Sequence, residues 1–150
     1  MSAEKDQLQA QIHTAMKAGE KVRVAALRLL SAAVKYREVE LGHELSAEEF
    51  TEVATREAKR RKESIEAYEG AGRTELVERE RAELAVLEPY LPEALSADEL
   101  TAIIEAAVAS TGASGPGDLG AVMKAVMAEV KGRADGKAVS DAVRARLSGA

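Results

Sequence analysis

Three cations stand close together in a short segment near the C-terminal end of the sequence. Lys131, Arg133 and Lys137 lie between two stretches with helical periodicity, and Lys124 precedes Lys131 by two helical turns. Residues 119–150 contain six basic and three acidic side chains, so they carry +3 within a chain of net charge −5. A local positive patch steers a polyanion even when the whole protein is acidic. The pattern predicts a phosphate-contacting site at Lys124, Lys131, Arg133 and Lys137.

The turn that holds these cations admits two interpretations. Gly132 is predicted to cap the helix before the turn, and Asp135 the helix after it. The cations then lie beside a helix N terminus, where free amide groups attract phosphate. In the other interpretation, Lys131 only compensates the dipole at the end of its own helix. The residues leave both interpretations open.

A second basic cluster lies in the first half of the chain. Its members are Arg56, Lys59, Arg60, Arg61 and Lys62. One interpretation is a second phosphate-contacting face, with Arg56, Lys59 and Arg60 as the candidate residues. The other is neutralisation by Glu57–Arg61 and Lys59–Glu63 pairs along the helix, and by acids of the next helix. Those acids are Glu75, Glu78, Glu80 and Glu83. Mixed charges on a helix usually form a solvated face, which favours neutralisation.

No residue pattern in the sequence indicates a catalytic centre or a metal site. The chain has no cysteine, which excludes disulfides and thiolate ligands. Its two histidines, His13 and His43, are predicted to lie in different helices, and no standard metal-binding pattern surrounds either of them. We therefore predict no catalytic residue, no metal and no cofactor.

Residues 115–120 read Gly-Pro-Gly-Asp-Leu-Gly and match the dinucleotide-binding fingerprint letter for letter. That fingerprint works because a strand delivers the pyrophosphate to a helix N terminus. Here a helix, not a strand, is predicted to precede the motif. We therefore interpret the segment as a loop and a helix start, with Pro116 near the first helical position.

Seven predicted helical segments carry these candidate residues, and no strand is predicted. Residues 1–93 are expected to form an N-terminal helical domain with a long helical hairpin that begins at a capping box, Ser46 and Glu49. Its second helix, about residues 20–41, is apolar nearly all round, which predicts burial on several sides.

The second half of the chain is predicted to be a separate three-helix bundle over residues 94–150. Leu91-Pro92 ends the preceding helix and marks a hinge, because proline cannot donate the helical hydrogen bond. Ser96 and Glu99 form a second capping box. Three short amphipathic stripes then follow, as expected for a bundle. The predicted fold class is all-α.

The sequence also allows a prediction of the cellular location. Its first residues are polar and lack the apolar core of a signal peptide. No apolar run approaches membrane-spanning length. We expect a cytoplasmic protein with no membrane contact.

Several short motifs in order along the chain resemble the stand-alone YqeY proteins of the GatB/YqeY family. They are residues 60–65 (Arg-Arg-Lys-Glu-Ser-Ile), 71–73 (Ala-Gly-Arg), 90–92 (Tyr-Leu-Pro), 120–123 (Gly-Ala-Val-Met) and 130–136 (Val-Lys-Gly-Arg-Ala-Asp-Gly). YqeY proteins are similar to the C-terminal region of GatB, a subunit of the glutamine-dependent amidotransferase that acts on misacylated Glu-tRNA and Asp-tRNA. The resemblance implies an all-α fold with a three-helix tail, and tRNA as the nucleic-acid partner.

The resemblance does not imply catalysis, because the amidotransferase's catalytic cradle has no counterpart in this sequence. Two positions depart from the family pattern. The family often has lysine where Ala121 stands and proline where Ala128 stands. Because alanine replaces the lysine at position 121, one potential phosphate contact is absent from this sequence.

Three functions compete at this stage. The first is a tRNA-binding or structured-RNA-binding accessory protein. The second is a helical adaptor that binds another protein through the acidic hairpin of residues 46–91. The third is a carbon–nitrogen ligase with glutamine as the amide donor, which rests on the family association alone.

Overall fold

The computed structural model describes residues 2–149, and the regular structure within them is entirely helical. The seven α-helices are α1 (Ala3–Lys17), α2 (Lys21–Leu41), α3 (Ala47–Gly70), α4 (Thr74–Leu87), α5 (Ala97–Thr111), α6 (Leu119–Val130) and α7 (Gly136–Leu147). Two short 3-10 turns, Glu88–Tyr90 and Pro116–Asp118, precede α5 and α6. The all-α prediction is confirmed.

Local capping explains where α3 and α5 begin. The Ser46 hydroxyl accepts a hydrogen bond from the Glu49 N–H at 3.1 Å, and the Glu49 carboxylate accepts one from the Ser46 N–H at 2.9 Å. This predicted capping box is complete, and its backbone hydrogen bond holds the pKa of Glu49 below its ordinary value. At α5 only half of the box forms. The Ser96 hydroxyl accepts from the Glu99 N–H at 3.1 Å, but the Glu99 carboxylate faces Arg133 instead.

The chain divides into two compact units, Met1–Leu91 and Pro92–Ala150. The division into an N-terminal helical domain of residues 1–93 and a three-helix tail domain of residues 94–150 stays a prediction. In the first unit, α3 and α4 form the predicted hairpin, and α2 packs against α1, α3 and α4. The core of this unit is aliphatic apart from one phenylalanine; its buried residues are Leu8, Ile12, Leu27, Leu30, Val34, Leu45, Phe50, Val53, Ala54, Ala58 and Leu87.

The prediction that α2 is buried on several sides is wrong for one face. Leu27, Leu30 and Val34 enter the core, as the apolar pattern indicated. On the opposite face, however, Leu29 keeps 51% of its surface exposed and Tyr36 keeps 69%. The apolar content of α2 thus exceeds what α1, α3 and α4 cover.

The second unit is a three-helix arrangement in which α6 packs against both α5 and α7. Its core comprises Ile104, Ala107, Val108, Val122, Val126, Val130, Val139, Val143 and Leu147. Val122, Val126 and Val130 of α6 are spaced four residues apart and are fully buried, and Leu119, Met123 and Ala125 pack against the same core while partly buried.

The loop between α5 and α6 confirms that a helix, not a strand, precedes the glycine-rich motif. The Asp118 carboxylate accepts hydrogen bonds from the backbone N–H groups of Ser114 at 2.9 Å and Gly115 at 3.3 Å. These bonds hold the pKa of Asp118 below its ordinary value and close the loop on itself.

Among the described residues, no helix is both long and apolar enough to cross a bilayer.

Candidate nucleic-acid interface

The turn between α6 and α7 has an unusual backbone at Lys131. Lys131 caps α6 in the left-handed conformation, with φ 49° and ψ 45°, and Gly132 follows with φ 77°. The sequence had placed the cap on Gly132, so the left-handed stretch begins one residue earlier than predicted. A side chain in this conformation costs roughly 1–2 kcal/mol. Asp135 caps α7 as predicted, because its carboxylate accepts from the Ala138 N–H at 3.3 Å.

Arg133 is engaged inside its own unit. Its Nε donates to the Glu93 carbonyl at 2.8 Å, and its Nη2 lies 3.3 Å from a carboxylate oxygen of Glu99. Its backbone carbonyl accepts from the Leu95 N–H at 2.8 Å. Arg133 therefore ties the segment before α5 to the α6–α7 turn. Of the four predicted phosphate contacts, it is the one already committed to carboxylate and carbonyl oxygens.

The three lysines of the predicted site have a different environment. Lys124, Lys131 and Lys137 are all exposed. Within residues 2–149, none of them has a carboxylate oxygen within 4.0 Å. Lys124 lies on α6, and Lys131 caps the C-terminal end of the same helix. Their ammonium groups are available to an external anion.

One further cation was missed by the sequence reasoning. Arg144 is exposed and follows Lys137 by seven residues on α7, so the two lie two helical turns apart on one side of that helix. This spacing was the signal that could have identified it. Its neighbour Arg146 is instead paired with Glu105, with Nη2 at 3.2 Å from the carboxylate, and this pairing holds the pKa of Glu105 below its ordinary value.

The second basic cluster, on α3, is divided by burial. Arg61 is nearly buried, with 11% of its side chain exposed, and its guanidinium contacts Glu80 at 3.0 Å and also Glu83. Glu83 is itself buried. The predicted neutralisation by acids of the next helix is thus confirmed for Glu80 and Glu83. The predicted Glu57–Arg61 pair is wrong, because Arg61 faces α4 and Glu57 pairs with Arg60 at 3.4 Å.

The remaining cations of this cluster face solvent. Arg56 and Lys59 are exposed and, in the described part of the chain, have no ion-pair partner. The predicted Lys59–Glu63 pair therefore does not form at ion-pair distance. Arg60 keeps 77% of its side chain exposed while it contacts Glu57. The three candidate residues of the secondary face are only partly neutralised.

The histidines occupy two different settings. His13 is exposed on α1, whereas His43 lies in the loop between α2 and α3, so the prediction of a helical position for His43 is wrong. The His43 ring has Nδ1 2.7 Å from the Glu44 carbonyl and Nε2 3.6 Å from Glu49. In residues 2–149, no group of three or more potential ligand side chains converges on a common metal position.

Comparison with known proteins adds a family match. A family model described as "Yqey-like protein" matches residues 5–147, which is nearly the whole chain. A comparison with curated proteins found no match.

Proposed function

The chain belongs to the Yqey-like family, and from that premise we propose that it binds structured RNA, with tRNA as the first candidate. Membership of this family links the chain to the C-terminal region of GatB. The proposed contact surface is formed by Lys124, Lys131, Lys137 and Arg144, which we call the lysine face.

The observation that carries the proposal is the state of the three lysines. They are exposed, and within the described residues no carboxylate competes for them. Phosphate oxygens provide most of the affinity in protein–nucleic acid contacts, and lysine binds them as a mobile point charge. The backbone of a folded RNA presents many such oxygens.

The mode of recognition follows from what the surface lacks. The chain has one phenylalanine, three tyrosines and no tryptophan, which is too few to stack a run of unpaired bases. Double-stranded RNA is recognised mostly by its shape, its phosphates and its 2′-hydroxyls. The lysine face therefore suits an A-form duplex segment, as in the arms of tRNA, rather than a single strand.

The conformation of Lys131 gives further support. A lysine in the left-handed region is less stable there than glycine, so the position tolerates strain. Strain of this kind is concentrated at binding sites, where the side chain has a use that offsets the cost. At Lys131 that use would be an exposed ammonium group presented by the α6–α7 turn.

The test is a gel-shift titration of tRNA with the full chain at low salt. We expect a complex that is lost in the variant Lys131→Glu/Lys137→Glu. The matched control, Lys17→Glu/Lys35→Glu, makes the same charge change at exposed positions of the first unit and should leave the complex intact. Absence of a complex with the unaltered protein at low salt would refute the proposal. We do not extend it to carbon–nitrogen ligase activity, which rests on the family association alone.

A further inference from the structure

The solvent-facing side of α2 carries an apolar stripe with the spacing of a coiled coil. Val22, Leu29 and Tyr36 recur at intervals of seven residues, and a smaller apolar residue or valine follows each of them after three positions. The complete stripe is Val22, Ala25, Leu29, Ala32, Tyr36 and Val39. These are the a and d positions of heptads, the positions at which one helix packs against another.

The stripe is too long and too continuous to be ordinary surface. Val22 is 44% exposed, Leu29 51%, Tyr36 69% and Val39 81%. From Val22 to Val39 the helix rises about 26 Å. Single exposed apolar side chains are normal, but contiguous apolar patches on a monomer mark sites of interaction. The alanines at the d positions allow a second backbone to approach closely.

One flank of the stripe is basic. On the α1 side lie Lys21, Arg28 and Lys35, all exposed, with the Arg28 guanidinium 3.6 Å from the Met16 sulfur. These three residues occupy the g positions of the same heptads. Within residues 2–149 none of the three has an ion-pair partner.

On the other side, the stripe opens into a groove of about 650 Å³ between α2 and α3. Leu29 and Tyr36 line one wall of the groove, and Arg56 and Arg60 line the other. Val53 contributes an apolar residue from α3. The groove is also lined by Glu40, Glu57 and Glu80, which pair with Arg37, Arg60 and Arg61. Among the arginines of this second edge, Arg56 alone has no ion-pair partner within residues 2–149.

We propose that α2 is a docking site for an acidic amphipathic helix of a partner protein. The partner helix would place apolar side chains on the stripe and glutamate or aspartate against the flank of Lys21, Arg28 and Lys35. Opposite charges at the flanking positions of paired helices set which partner is chosen. An antiparallel second copy of α2 would place Lys21, Arg28 and Lys35 against the same cations. A parallel copy would offer these cations Ala26, Ala33 and Glu40, so an acidic helix complements the flank better than either copy does. This surface lies on the first unit and is independent of the lysine face.

The test uses a defined probe, a synthetic peptide of three heptads with leucine at a and d and glutamate at e and g. Repulsion between glutamates keeps such a peptide from pairing with itself at neutral pH. In anisotropy titrations with the full chain, we expect this peptide to bind about tenfold or more tightly than the same peptide with lysine at e and g. Equal binding of the two peptides would overturn the proposal.

Variants locate the site. Leu29→Gln/Tyr36→Gln should lower the affinity for the acidic peptide by about tenfold or more, because both side chains lie at the centre of the stripe. Met127→Gln, a matched change of a 40%-exposed apolar side chain on α6, should leave its affinity unaltered. Arg28→Glu/Lys35→Glu should abolish the preference for the acidic peptide, because the two new carboxylates offset the cations that remain at Lys21 and Arg56. All three sets of positions are exposed, so urea unfolding of the variants should match the parent protein.

Other occupants give distinct results. Self-association in sedimentation that disappears in Leu29→Gln/Tyr36→Gln would replace the partner helix by a second copy of the chain. Binding to vesicles with anionic lipid that is lost in the same variant would identify a membrane surface instead. Loss of tRNA binding in that variant would assign the stripe to RNA. Each of these outcomes overturns the proposal, and none of them bears on the charge-reversal test of Lys131 and Lys137.

Discussion

Neutralisation of the three lysines should reduce the salt dependence of tRNA binding by a defined amount. The perturbation is Lys124→Gln/Lys131→Gln/Lys137→Gln. Each cation that contacts a phosphate contributes about 0.7–0.9 to the slope of log affinity against log salt concentration. Three contacts therefore contribute a slope of about 2–3. Between about 50 and 200 mM salt, this component alone weakens binding roughly 20- to 40-fold in the parent protein.

The assay is fluorescence anisotropy of labelled tRNA at four or more potassium chloride concentrations. A control triple, Lys17→Gln/Lys21→Gln/Lys35→Gln, removes the same charge from exposed lysines of the first unit. It should lower affinity slightly through the net charge, with little change of slope. The reasoning is refuted if the two triples have the same slope, or if the parent protein's slope is below about 1.

Arg133 supplies an internal comparison within the same turn. Its guanidinium is engaged with the Glu93 carbonyl and the Glu99 carboxylate. Arg133→Gln should therefore lower the stability of the protein while it changes the salt slope by much less than any of the three lysines. If Arg133→Gln instead lowers the slope by about 0.7–0.9, the contribution of one phosphate contact, then Arg133 leaves Glu99 and contacts an RNA phosphate.

Three more predictions concern stability, all measured by urea unfolding. Lys131→Gly should be more stable than Lys131→Ala by about 0.5–1 kcal/mol, because both lose the charge but only glycine relieves the left-handed strain; equal stability would deny the strain. Arg61→Ala should cost about 3 kcal/mol, because it leaves the buried Glu83 with only the longer contact to Arg79 at 3.5 Å, and a loss below about 1 kcal/mol would contradict this. Lys5 donates to Glu38 at 2.9 Å and holds the pKa of Glu38 below its ordinary value. That contribution is present above the unfolded pKa of a glutamate and is lost as pH falls through the lowered folded pKa. Lys5→Met should therefore reduce the loss of unfolding free energy as the pH falls through the acidic range. An unchanged pH dependence would show that the Lys5–Glu38 pair does not stabilise the fold.

The features that the sequence could predict are local ones. The helices follow from apolar periodicity, and the start of α3 follows from two residues three positions apart, Ser46 and Glu49. The same holds for Asp135 at the start of α7. In each case the interacting groups lie within one turn of helix. The local sequence is therefore sufficient to predict the interaction.

What escaped prediction depends on residues that are distant in sequence. Arg133 meets Glu93 and Glu99, which lie 40 and 34 positions away. Arg61 meets Glu83, 22 positions away, and this contact overrides the local pairing with Glu57. Nor does periodicity reveal how much of an apolar helix its own chain can cover. The sequence correctly showed that α2 is apolar, but the exposed stripe emerged only once its neighbours were placed.

The different roles of arginine and lysine in the ion pairs of this protein support the proposal for the lysine face. Within residues 2–149, every ion pair involves an arginine except Lys5–Glu38 and His43–Glu49. The planar guanidinium matches a carboxylate with two parallel donors and is weakly hydrated, which favours pairing within the fold, although Arg28, Arg56 and Arg144 have no ion-pair partner within residues 2–149. The ammonium group is strongly hydrated and stays in solvent, where an external polyanion can reach it. In a mixed basic cluster of a helical protein, the arginine is therefore the first candidate for a structural role, and the lysines are the first candidates for contact with phosphate.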